Sequence, residues 1–411
     1  MLPALTIFAL TYVLISARRL AALLHVDRSA AALLGAVACV VFGLIGPDRA
    51  IAAVDGRTLL LLFGMMGMGA CLDADGFFQR AVEQLARRFP DPRRLLAAIV
   101  WGSGSFAALL TNDAVCVLGT PVVVGLIRTR QLPALPFLLA LATAANTGSA
   151  ATLVGNPQNM LCANLGGLAY LDHLILVGPV ALIALAVNHG LLLLGFRRAL
   201  AETPRLPAPN HDHLPLLDRQ TLPTVAIVAG TALLYSLGFD LAWTATAGAL
   251  AAMLIRRHAP GELWLRVDWS VLLFFAGLFV VVTSLVASGA PAALFDRFPL
   301  WTDALPEPWA WARLAGLALI GSNLVSNVPF ILVVAEPIAA LPDPRLGWEM
   351  LAMASTFAGN LTLLGSVANI IVAEKSREVG GVGFVDYLRI GVPLTLISTA
   401  IGVAWLCWLA G

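Results

Sequence analysis

Four short stretches gather hydroxyl, amide and carboxylate side chains inside otherwise apolar sequence: Thr111-Asn112-Asp113, the run from Asn146 to Asn159, Ser326-Asn327, and the run from Asn360 to Asn369. Hydroxyls and amides donate or accept hydrogen bonds without fixed charge, so such a set suits the handling of a small polar solute. The candidates for solute contact are Asn112, Asn146, Thr147, Thr152, Asn156 and Asn159 in the first half of the chain, and Ser326, Asn327, Asn360, Thr362, Ser366 and Asn369 in the second. Part of any such set must instead satisfy backbone groups or join helices. Asp113 and Thr111 are the candidates for a coupling ion. Covalent catalysis is disfavoured, because no His stands beside a Ser or Cys in these stretches and His189 has no such neighbour.

The elements that hold these residues follow from composition. The 411 residues are 59% hydrophobic and 12% charged, with a mean hydropathy of +0.88, more apolar surface than a soluble fold can bury. The chain therefore reads as an all-α polytopic membrane protein. A net charge of +1 argues against a nucleic-acid partner, and five scattered cysteines show no disulfide or metal spacing. At the N-terminus, apolar residues precede Arg18 and Arg19, the reverse of a secretory signal, which makes a retained first span. Spans are expected at about 3–17, 29–46, 58–78, 134–163, 171–196, 221–238, 241–255, 269–289, 348–373 and 386–409. The segments at about 94–127 and 310–340 are interrupted midway by Thr111-Asn112-Asp113 and Ser326-Asn327-Val328-Pro329, and read as re-entrant hairpins.

With this count, all but Arg49, Arg57, Arg297, Arg313 and Arg345 of the 25 Lys and Arg fall on one side. That side is expected to be cytoplasmic, which puts both termini in the periplasm of a cell inner membrane. The polar, Pro-rich stretch 197–220 is a cytoplasmic linker between repeats at 1–196 and 221–411. Asp55, Gly64 and Gly76 match Asp268, Gly277 and Gly289 at a shift of 213 residues, and Thr152, Gly155 and Asn159 match Thr362, Gly365 and Asn369. Each half has five spans, so the second repeat is inverted in the membrane.

Spans 134–163 and 348–373 are each broken by Gly, Ser, Thr and Asn, and a break at that depth persists only where protein or a water-filled cavity satisfies its backbone. Helices then begin near mid-membrane after Asn112, Asn156, Asn327 and Ser366. Each N-terminus carries about half a positive charge, so the four together favour an anion with no Lys or Arg at that depth. Carbonyl ends near Leu110, Ala145, Val325 and Gly359 suit a cation such as Na⁺. Asp113 faces Val328 in the repeat comparison. An ionised Asp at mid-bilayer costs about 3 kcal/mol, so Asp113 carries a coupling proton, holds Na⁺, or caps the helix that follows.

In LTNDAVCVLGTPVV, GSAATLVGNPQN, SNLVSNVPF and STFAGNLTLLGSVANIIVAE, the chain resembles the ion transporter superfamily, its arsenite-permease and anion-permease branch above all. The resemblance covers nearly the whole chain and extends to divalent-anion/sodium symporters, citrate carriers and sodium/proton carriers. It implies that hairpin tips and broken helices enclose the substrate, that a scaffold of spans one, two, six and seven forms a homodimer, and that the transport domain moves as an elevator. The tip triplets here are Thr111-Asn112-Asp113 and Ser326-Asn327-Val328 instead of the Ser-Asn-Thr of divalent-anion symporters. The expected function is secondary active transport of a small inorganic anion or oxyacid, arsenite being the best single name, coupled to H⁺ or Na⁺. A Na⁺/H⁺ antiporter is the alternative, and an intramembrane hydrolase the alternative from another class. Bound Na⁺ aside, no cofactor is expected, membrane lipid is the surrounding partner, and the absence of a nucleotide motif means that any pump ATPase would be a separate chain.

Overall fold

The structure is a computed structural model that describes residues 1–16, 25–203, 215–302 and 304–410. Arg18, Arg19 and the centre of the expected linker, 204–214, lie outside the described residues. The first half runs α1 (Leu2–Ser16), α2 (Arg28–Val41), α3 (Pro47–Ala53), α4 (Gly56–Ala74), α5 (Phe77–Arg88), α6 (Pro92–Leu109), α7 (Asn112–Arg130), α8 (Ala134–Ser149), α9 (Pro157–Gly166) and α10 (Tyr170–Gly195). After the short α11 (Arg197–Glu202) come α12 (Leu222–Ser236), α13 (Leu241–Arg256), α14 (Pro260–Trp264), α15 (Trp269–Ala287), α16 (Ala290–Arg297), α17 (Glu307–Val325), α18 (Asn327–Ala339), α19 (Pro344–Ala358), α20 (Val367–Lys375) and α21 (Phe384–Ala410). Element for element, α12 to α21 repeat α1 to α10.

The same local chemistry starts and stops these helices in both halves. Asp27 and Asp240 cap α2 and α13, Asp55 and Asp268 cap α4 and α15, each by accepting from backbone N–H groups. Gly76 and Gly289, at φ of 74° and 75°, turn the chain from the long helix into the short one that follows.

Packing shows the inversion. A Cβ on Gly64 of α4 would lie 2.5 Å from the Ala245 carbonyl carbon of α13, and one on Gly277 of α15 would lie 2.6 Å from that of Ala32 in α2. Gly64 and Gly277, like Ala32 and Ala245, stand 213 residues apart, so one contact is made twice about a pseudo-two-fold axis. In lipid, where apolar burial gains little, such close backbone approach is what holds helices together. The two halves are thus inverted repeats, each with a re-entrant hairpin and a broken helix.

Five helices, α4, α7, α10, α15 and α21, are long and apolar enough to cross a membrane. Two findings refine the expected spans. Helices α1, α2, α12 and α13 are shorter, at 14 to 16 residues, and the left-handed Gly43 and Gly238 follow the ends of α2 and α12. And α7, despite its length, is a return arm: Arg130 at its end donates to the Phe89 carbonyl just before α6, 3.5 Å away. In the second hairpin Phe330 of α18 folds back onto Gly321 of α17 across Ser326, which adopts φ +66°.

At the Arg-rich end, polar contacts tie α4 to the second repeat. Asp75 accepts from Thr224 (2.5 Å), Arg256 (2.8 Å) and His258 (3.1 Å), and Asp73 pairs with Arg266. Arg80, which sequence order makes the nearest partner for Asp73 and Asp75, pairs with Asp218 (2.5 Å) and so holds the linker's end against α5.

Candidate functional site

The first break is shorter than the sequence suggests. Helix α8 runs on through Ser149, four residues past Ala145, where Asn146 bonds across the repeat to Asn369 and Thr143 and Thr147 occupy their hydroxyls on the Leu139 and Thr143 carbonyls (both 2.7 Å). Tertiary contacts here outweigh weak helix propensity. The break is then closed by one amide. Asn159 donates from Nδ2 to the carbonyls of Ser149 (3.3 Å) and Thr152 (3.0 Å), and Asn369 does the same to Gly359 (2.7 Å) and Thr362 (3.3 Å). Carbonyls that a helix end leaves orphaned are satisfied in this way inside protein. Thr152 donates to the Ala108 carbonyl (2.6 Å) and Thr362 to Asn323 Oδ1 (3.0 Å), which fastens each break to its own hairpin.

A second set of bonds joins the two breaks. Asn146 donates to Asn369 Oδ1 (2.8 Å) and Asn360 Oδ1 (3.2 Å) and accepts from the Ser366 hydroxyl (2.9 Å). In the mirror position Thr356 donates to Asn159 Oδ1 (2.8 Å) and accepts from Asn156 Nδ2 (3.0 Å). Asn360 donates to Thr147 Oγ1 (2.9 Å). Thr356 was not among the residues read from the sequence; the shift of 210 residues that pairs Asn159 with Asn369 places it opposite Asn146, and that was the available signal.

Of the four expected helix caps, Asn156 fills the role by accepting from the Asn159 N–H (2.9 Å). For α7 the cap is Thr111, which accepts from Ala114 (3.3 Å), so Asn112 is the first helical residue. Likewise Ser326 stands before Asn327 at the start of α18, and neither Ser326 nor Ser366 makes a side-chain cap bond.

A cavity of about 330 Å³ lies where the two tips meet the starts of α9 and α20. Asn112, Asp113, Ser326, Asn327 and Ser366 line it, whereas Asn146, Thr147, Thr152, Asn156, Asn159, Asn360, Thr362 and Asn369 are held in the bonds between breaks and hairpins. The lining also includes Tyr12, Arg28, Gln158, Ser322 and Asn323, none of which stood out in the sequence. Arg28 corrects the expectation that no cation reaches this depth. Among the described residues, Asn112 Oδ1, Asn327 Oδ1, the Ser322 hydroxyl and the Tyr12 hydroxyl are buried with no hydrogen-bond partner, and all four residues line this one cavity. Buried polar groups are otherwise almost always paired, so four residues with such an atom around one space mark it as the candidate binding site. The N-termini of α9 and α20 point partial positive charge at the same space.

Asp113 takes a backbone hydrogen bond from Ala368 in the first turn of α20, with the charges of Arg28 and Asp268 close by. It also lines a smaller cavity of about 60 Å³ with Thr111, Arg266 and Asp268. Its carboxylate thus stands between the solute-sized cavity and the α4–α15 interface.

Known proteins resemble the chain along most of its length. The family model described as CitMHS, citrate transporter, matches residues 12–358. The silicon efflux transporter LSI3 of Oryza sativa subsp. japonica is 32% identical, with 92% of each chain covered. The 46 kDa membrane protein of Mycobacterium leprae is 30% identical over 99% of this chain and 98% of its own, and the Dictyostelium discoideum protein named arsB is 27% identical over 92% and 87%. In the crystal structure of the Alcanivorax borkumensis YdaH transporter the same fold recurs with a TM-score of 0.56 at 16% identity, covering 89% of this chain and 90% of that one. A multi-pass fold of inverted repeats around a polar cavity and a family match over most of its length make this chain a membrane transporter, not an enzyme, and a member of the CitMHS citrate transporter family of the ion transporter superfamily.

Proposed function

We propose that the protein is a secondary active transporter of a small hydroxylated inorganic acid or its anion, of the arsenite and silicic acid kind, coupled to H⁺ or Na⁺. The observation that carries this reading is one cavity lined by Asn112, Asn327, Ser322 and Tyr12, each with a buried amide oxygen or hydroxyl that has no partner among the described residues. Amide oxygens accept from the hydroxyls of a neutral oxyacid, and the tyrosine and serine hydroxyls with the N-termini of α9 and α20 serve its oxygens. A tricarboxylate such as citrate fits this lining less well, since Arg28 faces the cavity together with Asp113 and each uncompensated carboxylate would be costly there. The names of two relatives, silicon efflux transporter and arsB, point the same way.

Asp113 is the coupling carboxylate at the cavity in this reading. Its place between Arg28 and Asp268 also favours one second reading, a Na⁺/H⁺ antiporter that uses Asp113 and no oxyacid site. The transport domain moves as an elevator against a dimeric scaffold of α1, α2, α12 and α13, in an inner membrane with both termini periplasmic. Proteoliposomes tested with arsenite, silicic acid, phosphate, sulfate, dicarboxylates and citrate under separate Na⁺ and pH gradients decide between the readings. Saturable movement of an oxyacid supports the first. Cation exchange with no solute in the panel supports the second.

A further inference from the structure

A buried titratable pair lies away from the cavity. His173, in the first turn of α10, places Nδ1 2.5 Å from Glu349 Oε2 on α19, and its Nε2 lies 3.0 Å from the Ala150 carbonyl at the end of α8. The side chains are 0% and 1% exposed. A carbonyl only accepts, so Nε2 must carry its hydrogen, and one further proton then sits between Nδ1 and the carboxyl. Glu349 Oε1 is buried and has no partner among the described residues. The proton shared between Nδ1 and Oε2 is what holds the pair together.

The repeat marks this pair as an addition. Positions 150 and 173 correspond to Asn360 and Tyr387, and the Tyr387 hydroxyl lies 3.3 Å from Asn360 Oδ1. Each repeat therefore ties the start of its last helix to its own break, but the first does so through an imidazole, and Leu139 stands where the first repeat would match Glu349. Of the elements packed against α19, α18 brings Ile338 to Gly347, α21 brings Gly402 to Met353 and Thr395 to Phe357, and α17 brings Asn323 to the Ala358 carbonyl, all four uncharged. On α9 the buried thiol of Cys162 lies near Glu349. Asp172 and Arg345, beside the pair on α10 and α19, bond each other at 2.7 Å with side chains 49% and 62% exposed.

We propose that Glu349, held by His173, is a proton-binding site additional to Asp113, and that its loading couples the state of the first break to the pH gradient. The proposal rests on the transport reading above. On release, the Glu349 Oε2–H bond breaks and the proton passes to water entering from the Asp172–Arg345 end. The carboxylate left behind faces the Nδ1 lone pair, so the pair opens and the hold on the Ala150 carbonyl relaxes. Reprotonation from water restores both bonds.

Two measurements test this. Proteoliposomes enclosing a pH-reporting dye are given an arsenite or a silicic acid gradient, with wild type compared with Glu349→Gln, whose amide still donates to Nδ1 but does not titrate, and with His173→Gln. Solute exchange is expected to persist in Glu349→Gln while proton movement per solute falls below wild type; proton movement equal to wild type overturns the proposal. Infrared difference spectra of the purified protein between acidic and alkaline buffer, without solute, give the second readout. A protonated-carboxyl band present in wild type and missing from Glu349→Gln supports the site, and identical spectra overturn it. If wild type moves neither solute, the transport reading fails, and the infrared comparison still decides the proton site.

Discussion

The amides and hydroxyls of the two breaks divide into those turned toward each other and those turned toward the cavity, and the division predicts different losses. Asn156 caps α9 and donates to Ser149 Oγ and Thr356 Oγ1, both at 3.0 Å. Asn156→Ala is expected to cost about 1–3 kcal/mol, read as a lower melting temperature in detergent. Asn327 lines the cavity and its oxygen has no partner among the described residues, so Asn327→Ala is expected to leave the melting temperature near wild type and to raise KM for the transported solute. Asp113→Asn keeps size and shape but cannot titrate; it should still exchange labelled solute while losing accumulation driven by a pH or Na⁺ gradient. Full gradient-driven accumulation in that variant would reduce Asp113 to a structural role. The sequence exposed which residues are polar in apolar surroundings, but not which way they turn. Asn146 is committed by partners more than 200 residues away, and Arg28 reaches the cavity from a helix start that by charge alone belongs with the surface loops.

At the scale of elements, close packing explains why glycine recurs at one register. An added methyl at Gly64 or Gly277 would meet backbone within 2.6 Å, so Gly64→Ala and Gly277→Ala are each expected to destabilise by about 1–3 kcal/mol, and by similar amounts given the two-fold relation. Gly125→Ala, with nothing within 4 Å of the new methyl, is the control and should be neutral or slightly stabilising. Thermal unfolding of the three variants checks this; a tolerant Gly64→Ala would mean that the helices separate more easily than the packing implies. The hairpins and breaks were legible because polar triplets interrupt apolar runs. Their limits were not, since α8 continues to Ser149 where Asn146 makes contacts with the other repeat. The His173–Glu349 pair also escaped notice, as each residue alone is an ordinary charge near a helix start and only the fold brings them together.

For the whole molecule, the repeat order was readable from rare residues at fixed shifts, and the structure gives the same correspondence in α1 to α10 and α12 to α21. Orientation in the membrane rests on the Arg bias. A single cysteine in the Arg197–Gln220 linker of an otherwise Cys-free protein should resist an impermeant reagent added outside intact cells; labelling there would invert the topology. The central claim is that the transported solute sits in the cavity between the two tips and the starts of α9 and α20. The most direct test is uptake of silicic acid and arsenite into proteoliposomes by wild type, Asn112→Leu and Asn327→Leu at matched incorporation. The account predicts saturable uptake by wild type, little uptake of citrate, and loss of oxyacid uptake in both variants with folding retained. Wild-type uptake in both variants would contradict it and move the site elsewhere in the molecule.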